Sequence, residues 1–416
     1  MKDYSKVILY LTCFFHCLSG WSQEPGEYDL TVVSSIDFNG SVRRHGIGLI
    51  DCLKNKVSMN FILTRECDLN GVNDDVQKVV LCTDKTPGNV AILEDPLWYA
   101  DAMPDSPIKI AFSVFESTKI PQKWVKTLNT KFDAVIVADP FFKSVYRNCG
   151  VKIPIFHIPL GIFIDEFLEK PIKKAPSKPF VFGTCARFFG RKNHELLLKA
   201  FVQEFGNNKN VTLKMNGGGV RGVEKIFTLL KQIIATSKIS NVHVTNDALA
   251  WPDYVDYMSG IDCYINISQG EGFSITPREA LAVGIPCIVT NNTAQKTICE
   301  SGYVRTVPSN ILIPIKKDGE SIGNRFDCSL KDVRAALRDV YKNYNVYLEK
   351  AREGRAWVQQ YRWINLQKKY MNLVMPNELI LGDKNQITDD YLMTNSKKLY
   401  DKYQELLNKK RRRNAI

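Results

Sequence analysis

Strand-like and helix-like runs alternate along this chain, stop at a Pro- and Lys-rich segment, and then alternate again. The first series contains the apolar runs Asp29–Ile36, Val57–Leu63, Val79–Cys82, Val90–Leu93, Lys109–Val114, Ala134–Val137 and Ile153–His157, all read as strands. Helical runs are expected at Gly46–Leu53 and Phe141–Asn148, the latter ending at Gly150. The segment Glu166–Pro179 reads as a linker. The second series places strands at Phe180–Cys185, Val211–Met215, Val242–Val244, Cys263–Ile267 and Pro286–Val289. Its helices are expected at His194–Phe205, Gly222–Ser237, Tyr254–Ser259 and Pro277–Val283, and the chain after about Ser329 reads as helical. Alternation of this kind predicts parallel, doubly wound α/β sheets. Two such series predict two domains with a crevice between them, and ligands bind beyond the carboxyl ends of such strands.

Composition narrows the class. Of 416 residues 44% are hydrophobic and 24% charged, enough apolar content for two cores and too much for a disordered chain. The net charge of +12 suits phosphate-bearing ligands, anionic membranes or nucleic acid, but no aromatic-basic motif supports nucleic-acid binding. Eleven cysteines occur singly, without a Cys-x-x-Cys pair, which argues against a zinc ribbon or a thioredoxin-like centre. Cys185, Cys263 and Cys287 sit in apolar runs and read as small reduced core residues. No stretch is long enough for an ordinary membrane-spanning helix.

The two ends carry separate signals. Lys2 and Lys6 precede an apolar run from Val7 to Leu18, so residues 1–22 read either as a secretory signal or as an apolar N-terminal helix. The sequons at Asn39 and Asn266 fall in segments assigned below to the site, which argues against passage through a glycosylating pathway and leaves bacterial export open. The C terminus ends in Lys409-Lys410-Arg411-Arg412-Arg413, preceded by Leu392, Leu399, Tyr403 and Leu407 at rough helical spacing. It reads as a solvated tail or as a membrane-surface contact.

The most informative stretch is Gly270–Thr290, GEGFSITPREALAVGIPCIVT. A strand feeds a glycine loop and then a helix expected to start at Thr276-Pro277, with Thr276 as N-cap. A glycine loop entering a helix N-terminus is an anion site. Its acids, Glu271 and Glu279, suit hydroxyl groups of a sugar or ribose, because a carboxylate accepts hydrogen bonds. Thr276-x-x-Glu279 also fits a capping box, a purely structural role. A second loop, Gly183-Thr184-Cys185-Ala186-Arg187 to Lys192-Asn193, again joins a strand to a helix. Taken alone, its basic residues read as an exposed loop.

Together these residues resemble the retaining glycosyltransferases of family 4, the glycosyl transferases group 1 with the GT-B fold. The resemblance rests on Glu271-Gly272-Phe273, Glu279-Ala280, Gly284-Ile285-Pro286, and Arg187 with Lys192 five positions later. It implies that Glu271 contacts the donor sugar and Glu279 the nucleotide ribose. Arg187 and Lys192 would bind the donor diphosphate, where fixed cations stabilise the charge growing on the leaving group. Gly272, Phe273 and Ser274 would line the donor loop, Ser274 standing where many members have Gly. Gly40, in the loop Ile36–Ser41, would face the diphosphate across the cleft. Glu116, in the region where many members carry a His, either faces the cleft or is a buried, paired acid. Arg43, Arg44 and His45 face phosphate or solvent. His157–Ile162 and Tyr361-Arg362-Trp363 match the family's strand out of the first domain and its crossover helix.

The resemblance therefore implies an α/β GT-B architecture, two Rossmann-like doubly wound domains facing a central cleft. The expected boundaries are 28–168 for the acceptor domain, 178–355 for the nucleotide-sugar domain, and 356–416 for the crossover helix and basic tail. The expected activity is metal-independent, retaining transfer of a hexose from a UDP- or GDP-sugar to a glycan or lipid-linked acceptor. No cofactor, no metal and no nucleic acid are expected; an Asp-x-Asp metal motif does not occur. The expected location is cytoplasmic, with membrane association through the tail or export through residues 1–22 as the alternatives. A competing reading is a non-catalytic nucleotide-sugar-binding protein of the same fold. A second is a nucleotide-sugar epimerase, which lacks the acid and histidine set that ring chemistry would want.

Overall fold

The computed structural model describes residues 28–36, 41–375 and 396–413. The apolar segment 1–22, Gly40 with its loop, and Leu392 of the tail lie outside the described residues. The chain divides into two compact units, 1–111 with 370–416, and 112–369.

In the first unit β1 (Leu30–Ile36) is flanked by β2 (Met59–Cys67) and β3 (Val90–Leu93), and β3 pairs with β4 (Ile108–Ser113); all are parallel. Every residue of β1 is buried, as expected of a strand covered on both faces. The helices are α1 (Ser41–Leu53), which contains the expected run, and α2 (Asp74–Val80). The latter corrects the strand expected at Val79–Cys82. Asn73 caps this helix by accepting from the Val76 N–H at 2.9 Å, and Asp74 and Asp75 lie in its first turn, where the helix dipole favours them. His45 is another correction: it is buried, paired with Glu94 through Nδ1 and 3.1 Å from the Tyr370 hydroxyl through Nε2. Arg43 is half-buried and pairs with Asp68 at 3.4 Å.

The second unit opens with α3 (Gln122–Lys131), β5 (Ala134–Val137), α4 (Phe141–Asn148) and β6 (Ile155–His157), β5 and β6 being parallel. The linker begins with the short helix α5 (Asp165–Glu169) and is then fastened to buried Asp262, whose carboxylate accepts from Lys173, Ser177 and the Val181 N–H. A six-stranded sheet follows, built from β7 (Phe180–Cys185), β8 (Val211–Asn216), β9 (Val242–Thr245), β10 (Cys263–Asn266), β11 (Cys287–Thr290) and β12 (Arg305–Val307). Their order is β12-β11-β10-β7-β8-β9, so the chain reverses its direction of travel between β7 and β10. The crossover helices are α6 (His194–Phe205), α7 (Glu224–Thr236), α8 (Trp251–Gly260), α9 (Ile275–Val283) and α10 (Gln295–Glu300). Phe182, Phe201, Leu213, Ile265 and Leu337 centre the core, and Cys263 and Cys287 are free thiols fully buried in the sheet.

An antiparallel hairpin, β13 (Ile311–Lys317) and β14 (Glu320–Asp327), comes next. It was not anticipated, although Asp318-Gly319 is a two-residue turn signal and both residues have positive φ, 51° and 82°. The chain then becomes helical as expected, with α11 (Leu330–Lys342), α12 (Tyr344–Trp357), α13 (Trp363–Val374) and α14 (Lys397–Arg413). The two segments matched to the family's crossing meet: the Ile162 N–H donates to the Tyr361 carbonyl at 2.9 Å, and the Trp363 ring lies where a Gly161 side chain would be. Leu399 and Tyr403 are the buried face of α14, and the Tyr403 hydroxyl donates to the Leu373 carbonyl at 2.9 Å.

Candidate functional site

The site forms at the carboxyl ends of β7 and β10, the place where open α/β sheets bind ligands. After β7 the chain makes a turn through Ala186–Phe189 and a short 3-10 turn at Gly190–Lys192, then enters α6 at Asn193. Asn193 is left-handed, with φ 59°, and its amide donates to Asp327 at 2.6 Å and to the Ile267 carbonyl at 3.2 Å. This conformation suits Asn among the non-glycine residues. It turns Arg191 and Lys192 toward the loop that follows β10.

There Glu271 is 5% exposed and its carboxylate is paired with Lys192 and, at 3.0 Å, with Arg191. Burial alone would raise its pKa, but the two cations and the hydrogen bonds outweigh it and hold it at about 2. Lys192 is pulled down, because burial and neighbouring Arg191 outweigh the carboxylates of Glu271 and Glu116. Arg191 also donates to the Gly270 carbonyl at 2.9 Å and to Glu116 at 2.8 Å. Glu116 is thus a paired acid, and its side chain keeps 34% of its surface exposed. It joins the cluster because the two loops touch. A Cβ at Gly270 would collide with the Glu116 carbonyl oxygen, and one at Gly272 with Val114. Glycine is required at both positions by this approach.

Helix α9 starts two residues earlier than expected and Ser274 is its N-cap residue, so the capping box on Thr276 does not form. Ser274 has φ 67°, a backbone that glycine adopts without cost, and Asn266 Nδ2 donates to its hydroxyl at 3.0 Å. Asn266 is itself 5% exposed, so a glycan at that sequon has no room. Glu279 is fully buried and accepts from the Tyr254 hydroxyl at 2.6 Å. Arg278, beside it, is also fully buried: its guanidinium donates to the carbonyls of Phe273 and Ser274 and stacks 3.8 Å from the Phe273 ring centroid and 4.6 Å from that of Tyr361. The Phe273 ring is therefore part of the packing that holds the loop.

Of the residues singled out, the fold gathers Lys192, Glu271 and Glu116 through ion pairs that Arg191 completes, and the loop Gly272–Ser274 leads from Glu271 into α9. Arg187 is half-buried in the turn after β7, and its carbonyl accepts from the Phe189 N–H at 2.7 Å. Gly40 lies outside the described residues. Three members of the site were missed. Arg191 had a signal, its position next to Lys192. Tyr254, bonded to Glu279, and Arg325, whose guanidinium stands 3.9 Å from the Glu116 carboxylate, had none, since each arrives from a distant segment. Among the described residues no group of three or more His, Cys, Asp or Glu is arranged to hold a metal ion, and no helix is long and apolar enough to cross a membrane.

Comparison with known proteins accords with this geometry. Residues 165–345 match the family described as Glycosyl transferases group 1. EpsF of Bacillus subtilis, a protein named as a glycosyltransferase, is 26% identical over 160 residues; the match spans 37% of this chain and 38% of EpsF. Among solved structures, Anabaena HepE in complex with UDP and glucose is similar with a TM-score of 0.61 at 13% identity, over 84% of this chain and 99% of HepE. Sucrose-phosphate synthase from Thermosynechococcus elongatus gives 0.62 at 14% identity, over 84% and 98%. WaaG, a glycosyltransferase involved in lipopolysaccharide biosynthesis, gives 0.58 at 12%, over 84% and 100%. The fold is GT-B, with Rossmann-like parallel α/β sheets.

Proposed function

We propose that this chain is a glycosyltransferase that moves a hexose from a UDP- or GDP-sugar to a glycan or lipid-linked acceptor, with retention at the anomeric carbon and without a metal or cofactor. The observation that carries the reading is the buried carboxylate of Glu271 beside Lys192 and Arg191 at the mouth of the second sheet. Before a donor binds, the cations and the carboxylate satisfy one another. An entering diphosphate supplies the negative charge that Lys192 needs and releases Glu271 toward a sugar hydroxyl. The same cations then stabilise the diphosphate as it leaves. Glu279, held by the Tyr254 hydroxyl, is assigned the ribose hydroxyls, since a carboxylate accepts hydrogen bonds. Arg187, on the turn after β7, adds a further cation. Acceptor attack from the face the diphosphate leaves, with the leaving phosphate taking the acceptor proton, requires alignment and charge stabilisation more than a protein base. The nucleotide-sugar assignment is supported by HepE, solved in complex with UDP-glucose. The basic helix α14 suits a peripheral membrane contact on the cytoplasmic side.

The test is product detection after incubating the full chain with a panel of UDP- and GDP-sugars, water serving as the default acceptor, beside Glu271→Ala and Arg187→Ala variants. Release of nucleotide from one donor, lost in both variants, supports the reading. Calorimetric binding of nucleotide with no turnover on any donor or acceptor extract would instead identify a non-catalytic binding protein of the same fold.

A further inference from the structure

The hairpin β13–β14 reaches the Phe115–Gln122 loop and grips it. Ser117 Oγ donates to the Ile322 carbonyl at 2.8 Å, and the Thr118 N–H donates to the Asn324 carbonyl at 3.1 Å. The Asn324 N–H returns a bond to Thr118 Oγ1 at 2.9 Å, and Glu320 accepts from the Gln122 N–H at 2.9 Å. Gly323, with φ 79°, lets the strand pass against Thr118, where a Cβ would collide. At the other end of β14 the Phe326 N–H donates to the Gln269 carbonyl at 2.8 Å. Arg325 is thereby held between the two loops that carry Glu116 and Glu271.

Its guanidinium is placed for more than closing the hairpin. Nη2 stands 3.9 Å from the Glu116 carboxylate, a longer and weaker contact than the 2.8 Å bond Arg191 makes to the same group. Its Cγ lies against Gly270, next to the site glycines. Its Nε is buried without a hydrogen-bond partner. A buried N–H without an acceptor is costly, and one beside a ligand site is relieved by a ligand oxygen. The local charges agree. Among the described residues, Arg191, Lys192 and Arg325 pair here with Glu116 and Glu271, three cations against two carboxylates.

We propose that Arg325 is a donor-binding residue, its Nε–H directed to a phosphate or sugar oxygen of the nucleotide-sugar, so that the hairpin forms part of the donor pocket. This rests on the transferase reading above. The experiment is calorimetry of the full chain and of Arg325→Met and Arg325→Lys variants, with UDP, GDP and the UDP- and GDP-sugar panel as probes. Binding of sugar nucleotides weakened about tenfold in Arg325→Met, with UDP and GDP unchanged, supports contact with the sugar. Equal weakening of both supports contact with the diphosphate. Partial recovery in Arg325→Lys, which keeps the charge, supports either contact over a folding defect, and thermal melting of each variant checks that it is folded. Unchanged affinity for all probes in folded Arg325→Met overturns the inference. Absence of nucleotide binding by the unsubstituted protein overturns the transferase reading and this inference with it.

Discussion

Lys192 and Glu271 form an ion pair although 79 residues separate them. They meet because β10 lies beside β7 in the sheet, with Cys263 opposite Phe182, so the loops leaving the two strands emerge side by side. The pair is the hinge of the proposed chemistry: the carboxylate holds the cation in place until a diphosphate competes for it.

A pH dependence follows from that pair. Glu271 titrates at about 2 in the folded protein against 4.5 for an unperturbed carboxyl. Its contribution to stability is therefore complete above about pH 4.5 and is lost as pH falls toward 2. Between about pH 6 and about pH 2, the melting temperature should fall more steeply for the natural protein than for Glu271→Gln. Parallel slopes would show that the ion pair is not maintained in solution.

Ser274 holds a left-handed backbone with φ 67°. Replacing it with Gly removes the strain but also the Asn266 hydrogen bond, so Ser274→Gly should change stability by less than about 1 kcal/mol. Ser274→Val, β-branched in the same conformation, should lose about 2 kcal/mol or more. Urea unfolding of both variants measures the difference. A Val variant as stable as the Gly variant would mean that the loop adopts another backbone.

Gly161 lies under the Trp363 ring, and even a methyl group there collides with it. Gly161→Ala should destabilise the protein by about 1–3 kcal/mol through overpacking. Combining it with Trp363→Leu should cost less than the sum of the two single substitutions, because one relieves the other. Additive losses in denaturant melts would argue against this contact.

Tyr254 donates to the buried Glu279 at 2.6 Å. Tyr254→Phe keeps the ring packing against Phe167 and Trp251 and removes only the donor. It should weaken nucleotide binding several-fold, about 1 kcal/mol, by loosening the carboxylate assigned to the ribose. Titration with UDP and GDP is the measurement. Unchanged affinity would separate Glu279 from the nucleotide.

Much of this was legible in the chain. Buried strands such as Ala134–Val137 and Cys263–Asn266 announce themselves as short apolar runs, and the loops with Lys192 and Glu271 carry their residue types in register. The helix at Asp74–Val80 misled because its cap residue, Asn73, and acidic first turn were outweighed by the apolar Val79-Val80-Leu81 that ends it. The hairpin misled for a different reason. Its first strand is largely exposed, with Ile311 and Leu312 among the open hydrophobics, and its second is half-buried almost throughout, so neither shows a clean alternation of buried and open positions.

Sequence alone determined the parallel α/β class, the two series of elements, and the residue types at the site, because periodicity, turn residues and short motifs are local properties. Tertiary structure decided which charges meet. It placed Arg191 as well as Lys192 on Glu271, turned Phe273 inward against Arg278, put Tyr254 on Glu279, and carried Arg325 to Glu116. Those pairings depend on strand order and on glycine-mediated approach between loops far apart in the chain, and neither leaves a mark at any fixed spacing.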